Sequence, residues 1–483
     1  MPQPTQRDPS LRSVRTGLAA TGRSPRDGRG VVPVLAFAGI TVAVMQTLLV
    51  PVIKDLPVLL NTSVADATWV LTSTLLAGAV ATPVMGRLGD LHGKQRMLVV
   101  SLSLMVVGSL AAGFTSDLTV MIAARALQGF GMGAIPLGIG LIRDVLPPDR
   151  LGGAMGLMSS SIGVGGGLAL PAAALTAQHL DWHTLFFGSA ALGTLGIVLT
   201  LLFVPESGVR ATGGFDIPGA LGLSAGLVLF LLPITKGDAW GWASPLTLGM
   251  FGGALVTLLA WGYMELRRAA PLVDLRTSAR REVLLTNLAS IMLGVSFYVI
   301  SLTLPQLLQL PASTGHGLGQ SMVVAGLCVA PLGLTMMFTA PVYARLSARY
   351  GARFTLVLGM LVIGAAYAAG LGMMSAAWQT VVISVVMGAG IGLAYASLPT
   401  LITHAVDPSQ TGAANGLNTL MRSIGTSVSS AVIGMVIART AIPLDGTEIP
   451  SMTGFRLSFL IATGAVAVGL VLALCLPNPR RAP

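Results

Sequence analysis

Long apolar stretches separated by short polar breaks run through almost the whole chain. Fourteen such stretches lie near 31–53, 66–86, 97–115, 118–142, 152–177, 183–204, 217–235, 245–264, 284–308, 318–342, 354–374, 379–403, 412–437 and 455–476. Nearly all approach the roughly 20 residues an α-helix needs to cross a bilayer. The pattern predicts an all-α polytopic membrane protein of fourteen spans. The pair at 217–235 and 245–264 is the least regular. Pro218 and Pro233 trim its first member, and Trp240 and Trp242 suit an interfacial turn between the two.

Composition agrees with that reading. Of 483 residues, 53% are hydrophobic and 10% charged, where a soluble domain carries about 25% charged residues. The net charge of +10 suggests nucleic acid until its distribution is read. The bases fall between the apolar runs, where topology signals belong, and no polar segment is long enough to build a nucleic-acid-binding domain. The expected partner is the lipid bilayer, with no nucleic acid and no obligate protein partner. Cys328 and Cys475 both sit in apolar runs, so neither a disulfide nor a metal cluster is expected. Arginine outnumbers lysine 25 to 3, which points to a GC-rich bacterial genome.

Basic residues also set the direction of the spans. With the N-terminus inside, inner segments hold twenty-two Lys and Arg, and outer segments hold four: Lys54, Lys236, Arg439 and Arg456. Without the N-terminal tail the balance is still sixteen to four. Both termini are therefore expected in the cytoplasm, with the protein in the plasma membrane. Residues 1–30, rich in Arg, Ser and Gly, read as a retained cytoplasmic tail. Ala36-Phe37-Ala38 resembles a cleavage site but falls too early in the apolar run that follows.

The chain also repeats itself. GRLGDLHGKQR at 86–96 is echoed by ARLSARYGARF at 344–354, and QGFGMGA at 128–134 by MGAGIGL at 387–393. PPDRLGGAMGLMSSSIG at 147–163 is echoed by DPSQTGAANGLNTLMRSIG at 407–425. A nearly constant offset at three places predicts two homologous six-span halves, 31–204 and 284–476. Between them lies a two-span insert within 205–283, and 477–483 forms a short cytoplasmic tail. Duplicated halves around a central cavity are the architecture of many secondary transporters.

At this point a family resemblance becomes specific. GRLGDLHGKQRM, between the second and third runs, resembles the signature loop of the major facilitator superfamily. RALQGFGMG at 125–133 is similar to that family's fourth-span pattern. The fourteen-span layout resembles its drug:proton antiporter branch. The resemblance implies a non-enzymatic exporter of amphipathic drugs, antibiotics or toxic metabolites, driven by proton antiport with alternating access and needing no cofactor. Uptake or narrow-specificity metabolite transport is the alternative, with a non-transporting sensor or scaffold behind it.

The resemblance assigns roles within the loop. Gly86 and Gly93 allow tight turning and close helix approach. Asp90 would meet the positive N-terminal end of the helix near 412–437 across the cytoplasmic seam, where an acid is favourable. Arg87, Lys94 and Arg96 would complete a charge network, and such a latch would hold one access state. In the second copy Ala348 replaces Asp90, so one full latch is expected.

Ionisable groups within spans are costly and functional by default. Two stand out. Arg125, with Gln128 beside it, matches the family's fourth-span Arg, linked to proton transfer or substrate binding. Arg422 either serves an anionic substrate or braces the seam. The acids all lie in loops or at run ends. Where cation exporters of this family often carry Asp in the first span, TVAVMQTLLVPV offers Gln46. An acid-free, net-positive interior would repel a lipophilic cation, so neutral or anionic amphipathic substrates are expected. Asp55 and Asp66 near the outer rim are the fallback proton carriers. In the fifth run, SSSIGVGGGLALPAAA (159–174) resembles a degenerate antiporter motif. Gly163, Gly165, Gly166 and Gly167 keep a close-packing surface there, with Pro171 displaced.

Other chemistries fail on their motifs. Gly93-Lys94 is followed by Gln95, and Leu88 stands where a phosphate-binding loop needs Gly. The five histidines, His92, His179, His183, His316 and His404, lie in loops or at run ends, which disfavours a membrane-embedded enzyme.

Overall fold

The computed structural model describes residues 30–53, 55–444 and 447–477. Most of both predicted tails, with Lys54, lies outside the described residues. Among the described residues fourteen long helices follow in order. They begin with α1 (Val31–Thr47), α2 (Trp69–His92), α3 (Lys94–Gly113), α4 (Leu118–Val145), α5 (Pro148–His179), α6 (Thr184–Phe203) and α7 (Ile217–Trp240). The rest are α8 (Pro245–Arg267), α9 (Arg281–Gln309), α10 (Met322–Tyr350), α11 (Ala352–Gly370), α12 (Ala377–Ala405), α13 (Thr411–Arg439) and α14 (Met452–Leu474). All but α1 are long and apolar enough to span a bilayer, and the chain is a multi-pass membrane protein. The run predicted at 31–53 is instead a 17-residue helix followed by a 3-10 turn at Val50–Val52.

Local chemistry explains several boundaries. Asp117, Ser244, Ser321 and Ser451 each accept a hydrogen bond from a backbone N–H in the first turn of the helix they precede. Gly93 joins α2 to α3 through a single residue with φ +112°, a conformation that side chains resist. Gly351, its counterpart in the repeat, joins α10 to α11 with φ +87°. The glycine-rich FGMG at Phe130–Gly133 tightens to a 3-10 turn within α4. An unforeseen antiparallel pair, Ile442–Leu444 with Thr447–Ile449, links α13 to α14.

Two separate apolar cores hold the bundle. One draws on residues between Val31 and Val204, the other on residues between Ala289 and Leu476. A third, smaller cluster places Leu223, Leu227 and Leu231 of α7 against Ala79 of α2 and Leu420 of α13. So α7 packs on both cores, whereas α8 leans chiefly on α7 and leaves Leu255, Val256 and Leu259 more than 60% exposed.

The two cores meet along two helix seams, α5 with α10 and α2 with α13. Small residues carry both, as expected where backbones approach closely. Gly163 lies on Gly333, Gly167 on Ala330, and Pro171 on Gly326. Gly165 faces α1 instead, 2.7 Å from the Ile40 carbonyl oxygen by its would-be Cβ. Gly166 corrects the sequence reading. An added Cβ there meets only Thr47, at 3.9 Å, so this glycine is not part of a close contact.

Gly333→Val would drive a side chain into the Gly163 carbonyl oxygen. It is expected to destabilise the protein by about 1–3 kcal/mol through overpacking, read as a lower melting temperature in detergent. Gly249→Val is the control, because nothing lies within 4 Å of its would-be Cβ.

Candidate functional site

The last turn of α2 carries Asp90, wholly buried. Its Oδ1 accepts the Gly412 N–H at 3.0 Å, and its Oδ2 accepts the Ala413 N–H at 2.8 Å. These are first-turn donors of α13, which have no partner within their own helix. A carboxylate there satisfies two of them and faces the positive end of the helix. Glycine makes the approach possible. A Cβ on Gly86 would strike the Gly412 carbonyl oxygen, and one on Gly412 would sit 2.6 Å from the Gly86 carbonyl oxygen and 2.7 Å from Asp90.

Lys94 lies between two acids, 3.3 Å from Asp90 and 2.7 Å from Asp144 at the end of α4. The Ser207 hydroxyl donates to the same Asp144 oxygen. Beside it Arg143 donates to the Thr411 hydroxyl and, at 3.2 Å, to the Val406 carbonyl. Two acids, two bases and a helix end thus balance in a buried cluster that ties α2, α3 and α4 to α13. Just before α13, Asp407 accepts from Ser409 N at 2.8 Å and Oγ at 2.6 Å. These bonds hold its carboxyl below the usual carboxylate range.

Sequence reading missed Arg143, Asp144 and Ser207. Adjacent Arg and Asp at the end of the fourth run, level with the loop, are the signal that was present. Two expected members are absent from the cluster. Arg96 is exposed and lies 3.8 Å from Glu206, whose carboxylate also accepts the Gln95 and Arg96 N–H groups at the start of α3. Arg87 is 5% exposed, its Nε has no partner among the described residues, and it borders a cavity of about 150 Å³ shared with Thr212, Asp274 and Gln410. Arg87 lies on a face of α2 next to the one that carries Gly86 and Asp90, and Arg96 belongs to α3, where it faces Glu206.

Deeper in the bundle the two mid-helix arginines differ. Every Asp and Glu of the fourteen helices stands within two residues of a helix end, so neither arginine has a local acid. Arg125 is 1% exposed and fully engaged. Its Nε donates to the Val70 carbonyl at 3.3 Å, and its Nη1 to the Met45 carbonyl at 3.4 Å and to Gln128 Oε1 at 2.6 Å. Gln128 in turn donates to Ser109 at 2.7 Å. Gln46 does not join this group; the carbonyl of its neighbour Met45 does. Arg422 lies only partly buried on α13 with its guanidinium carbon 4.9 Å from the centre of the Tyr395 ring. Asp55 and Asp66 are exposed, and Asp66 accepts from Ser63 at 2.7 Å, so neither faces Arg125. Among the described residues no group of three or more His, Cys, Asp or Glu is placed to hold a metal ion.

Comparison with known proteins places these features. The family model described as Major Facilitator Superfamily matches residues 35–216 and 286–483. The tetracenomycin C resistance and export protein of Streptomyces glaucescens is 28% identical over 442 residues, covering 88% of this chain and 79% of that protein. The multidrug resistance protein Stp of Mycobacterium tuberculosis is 26% identical over 374 residues, covering 77% and 68%. Among solved structures, the human organic anion transporter MFSD10 (TETRAN) superposes with a TM-score of 0.63 over 92% of this chain and 99% of that one. At 14% identity this is a likeness of fold.

Proposed function

The chain belongs to the major facilitator superfamily, and from that premise we propose that it exports amphipathic drugs, antibiotics or toxic metabolites by proton antiport. One observation carries the reading: the Asp90 clasp on Gly412 and Ala413 closes one end of the bundle with bonds that can break as a unit. Two six-helix halves, 31–204 and 284–476, rock about the α5–α10 and α2–α13 seams, while the insert within 205–283 is held through its α7 against α2 and α13. The clasp end is the cytoplasmic one, as are both termini, so this state is shut toward the cytoplasm. Proton binding and substrate binding then shift the population between closed and open seams by their different affinities for the two states. The relatives are named for resistance and export, which favours export over uptake.

Proteoliposomes loaded with a neutral compound, an amphipathic anion or a lipophilic cation test this. Efflux of the neutral or anionic compound that stops with a protonophore is expected. Efflux of the cation alone would remove the charge preference. Inward accumulation without efflux would favour the uptake reading.

The Arg125 group makes a separate prediction. Removing an enclosed guanidinium takes a donor from the Met45 carbonyl and from Gln128 Oε1 in a dry site, while Val70 keeps its bonds from Ser73 and Thr74. Arg125→Ala is therefore expected to cost about 3 kcal/mol. The loss shows as a lower melting temperature even with no substrate or proton gradient present. An unchanged melting temperature with lost efflux would instead put Arg125 in the transport path alone.

A further inference from the structure

We propose that Arg422, stacked on Tyr395, is the anion-recognising element of the substrate site, and that the substrate class is an oxyanion carried on an aromatic ring. The proposal rests on the export reading above and gives it a ligand chemistry.

The contrast between the two interior arginines carries it. The Arg125 guanidinium is enclosed and bonded to carbonyls and an amide. Among the described residues the Arg422 guanidinium donates no hydrogen bond and meets no carboxylate; its contact is the face of Tyr395. An arginine held this way in a low-dielectric interior keeps a full charge and a planar fork of donors unused. Arg422 is only partly buried and none of its nitrogens is a buried unpartnered atom, so the fork stays within reach of a ligand, and a carboxylate or sulfonate takes it in two parallel bonds.

The surroundings select the rest of the ligand. Tyr395 is 1% exposed, and its hydroxyl is buried with no partner among the described residues. Its ring lies 5.8 Å from that of Phe297, inclined by 46°. The guanidinium caps the buried Tyr395 ring, and the partly exposed Phe297 ring beside it is the face on which a flat aromatic body stacks.

Position supports a transport role. Arg422, Tyr395 and Phe297 come from α13, α12 and α9, all in the second core. The Tyr395 carbonyl accepts from Ser159 of α5 at 3.1 Å, so the site abuts the first core as well. Close backbone packing fixes the arginine in place: a Cβ on Gly294 of α9 would collide with the Arg422 carbonyl oxygen. A ligand seated here touches both sides of the seam, which lets its binding differ between closed and open states.

Three probes with the same ring system test the proposal: naphthoate, neutral naphthamide and cationic naphthylmethylammonium. Their equilibrium binding to the purified full-length protein is measured without a proton gradient, and their efflux from proteoliposomes separately. Naphthoate is expected to bind best, and Arg422→Gln to weaken it roughly thirtyfold while naphthamide changes by less than about threefold. Arg422→Lys keeps the charge but not the fork and should keep naphthoate ahead of naphthamide, at reduced affinity. Tyr395→Leu should weaken both naphthoate and naphthamide. Equal loss of all three probes in Arg422→Gln, unchanged naphthoate affinity in that variant, or no naphthoate binding by the unmodified protein would overturn it. Naphthoate binding through Arg422 with no efflux of any probe would leave the site standing and remove the export reading. Efflux of the neutral or cationic probe with no naphthoate binding would do the reverse.

Discussion

Gly86→Ala is expected to abolish most transport, although it adds one methyl group. That methyl would occupy the position where the Gly412 carbonyl oxygen lies, and neither backbone can yield without separating α2 from α13. Overpacking of this kind costs about 1–3 kcal/mol. A two-state equilibrium of seam-closed and seam-open forms then moves by roughly tenfold or more toward open. Labelling of a cysteine at Ala413, 8% exposed in the closed seam, reports the shift directly once Cys328 and Cys475 are replaced. Fast labelling with lost efflux is expected in Gly86→Ala. The same change at Gly188, where nothing lies within 4 Å of a new Cβ, should leave both readings alone. Slow labelling in Gly86→Ala would mean that the seam does not govern access.

Asp90→Asn should open the same seam by a different route. The carboxylate accepts two N–H groups and shares Lys94 with Asp144. An amide offers one oxygen and turns an NH2 toward donors. One first-turn N–H is stranded, and Lys94 keeps a single acid. Charge-assisted bonds of this kind are worth about 1.5–3 kcal/mol each, so the closed state should lose roughly tenfold to a hundredfold in population. Cysteine labelling at Ala413 should accelerate and efflux should fall at least tenfold. Asp90→Glu is expected to fail as well, because the added methylene must fit between Gly86 and Gly412. Rescue by Asp90→Glu would indicate that charge alone holds the clasp.

Legibility in the sequence varied from residue to residue. A tight turn at Gly93 is readable because a glycine between two apolar runs has a local cause, but that the helices run on to His92 and resume at Lys94, inside what reads as a polar loop, is not. Asp90 was reached through family resemblance, and its partners lie more than 300 positions away on α13, beyond any local pattern. Arg143 and Asp144 were passed over because a basic and an acidic residue at a run end look alike whether they face water or Lys94. Arg87 and Arg96 were grouped with Lys94 by proximity in the chain. On a helix, neighbours in sequence point to different faces.

What the sequence determined by itself is the class of molecule. Its apolar runs, their breaks and the internal repeat specify an all-α multi-pass protein, because span length and helix capping are local properties. Only the tertiary structure decided which faces meet. A membrane helix is apolar toward lipid and toward its neighbours alike, so its pattern does not announce a buried side. The rotation of each helix about its axis therefore had to come from packing. It puts Gly163 and Gly167 on α10 while Gly166 meets little, and it encloses Arg125 among carbonyls while leaving Arg422 with only a ring.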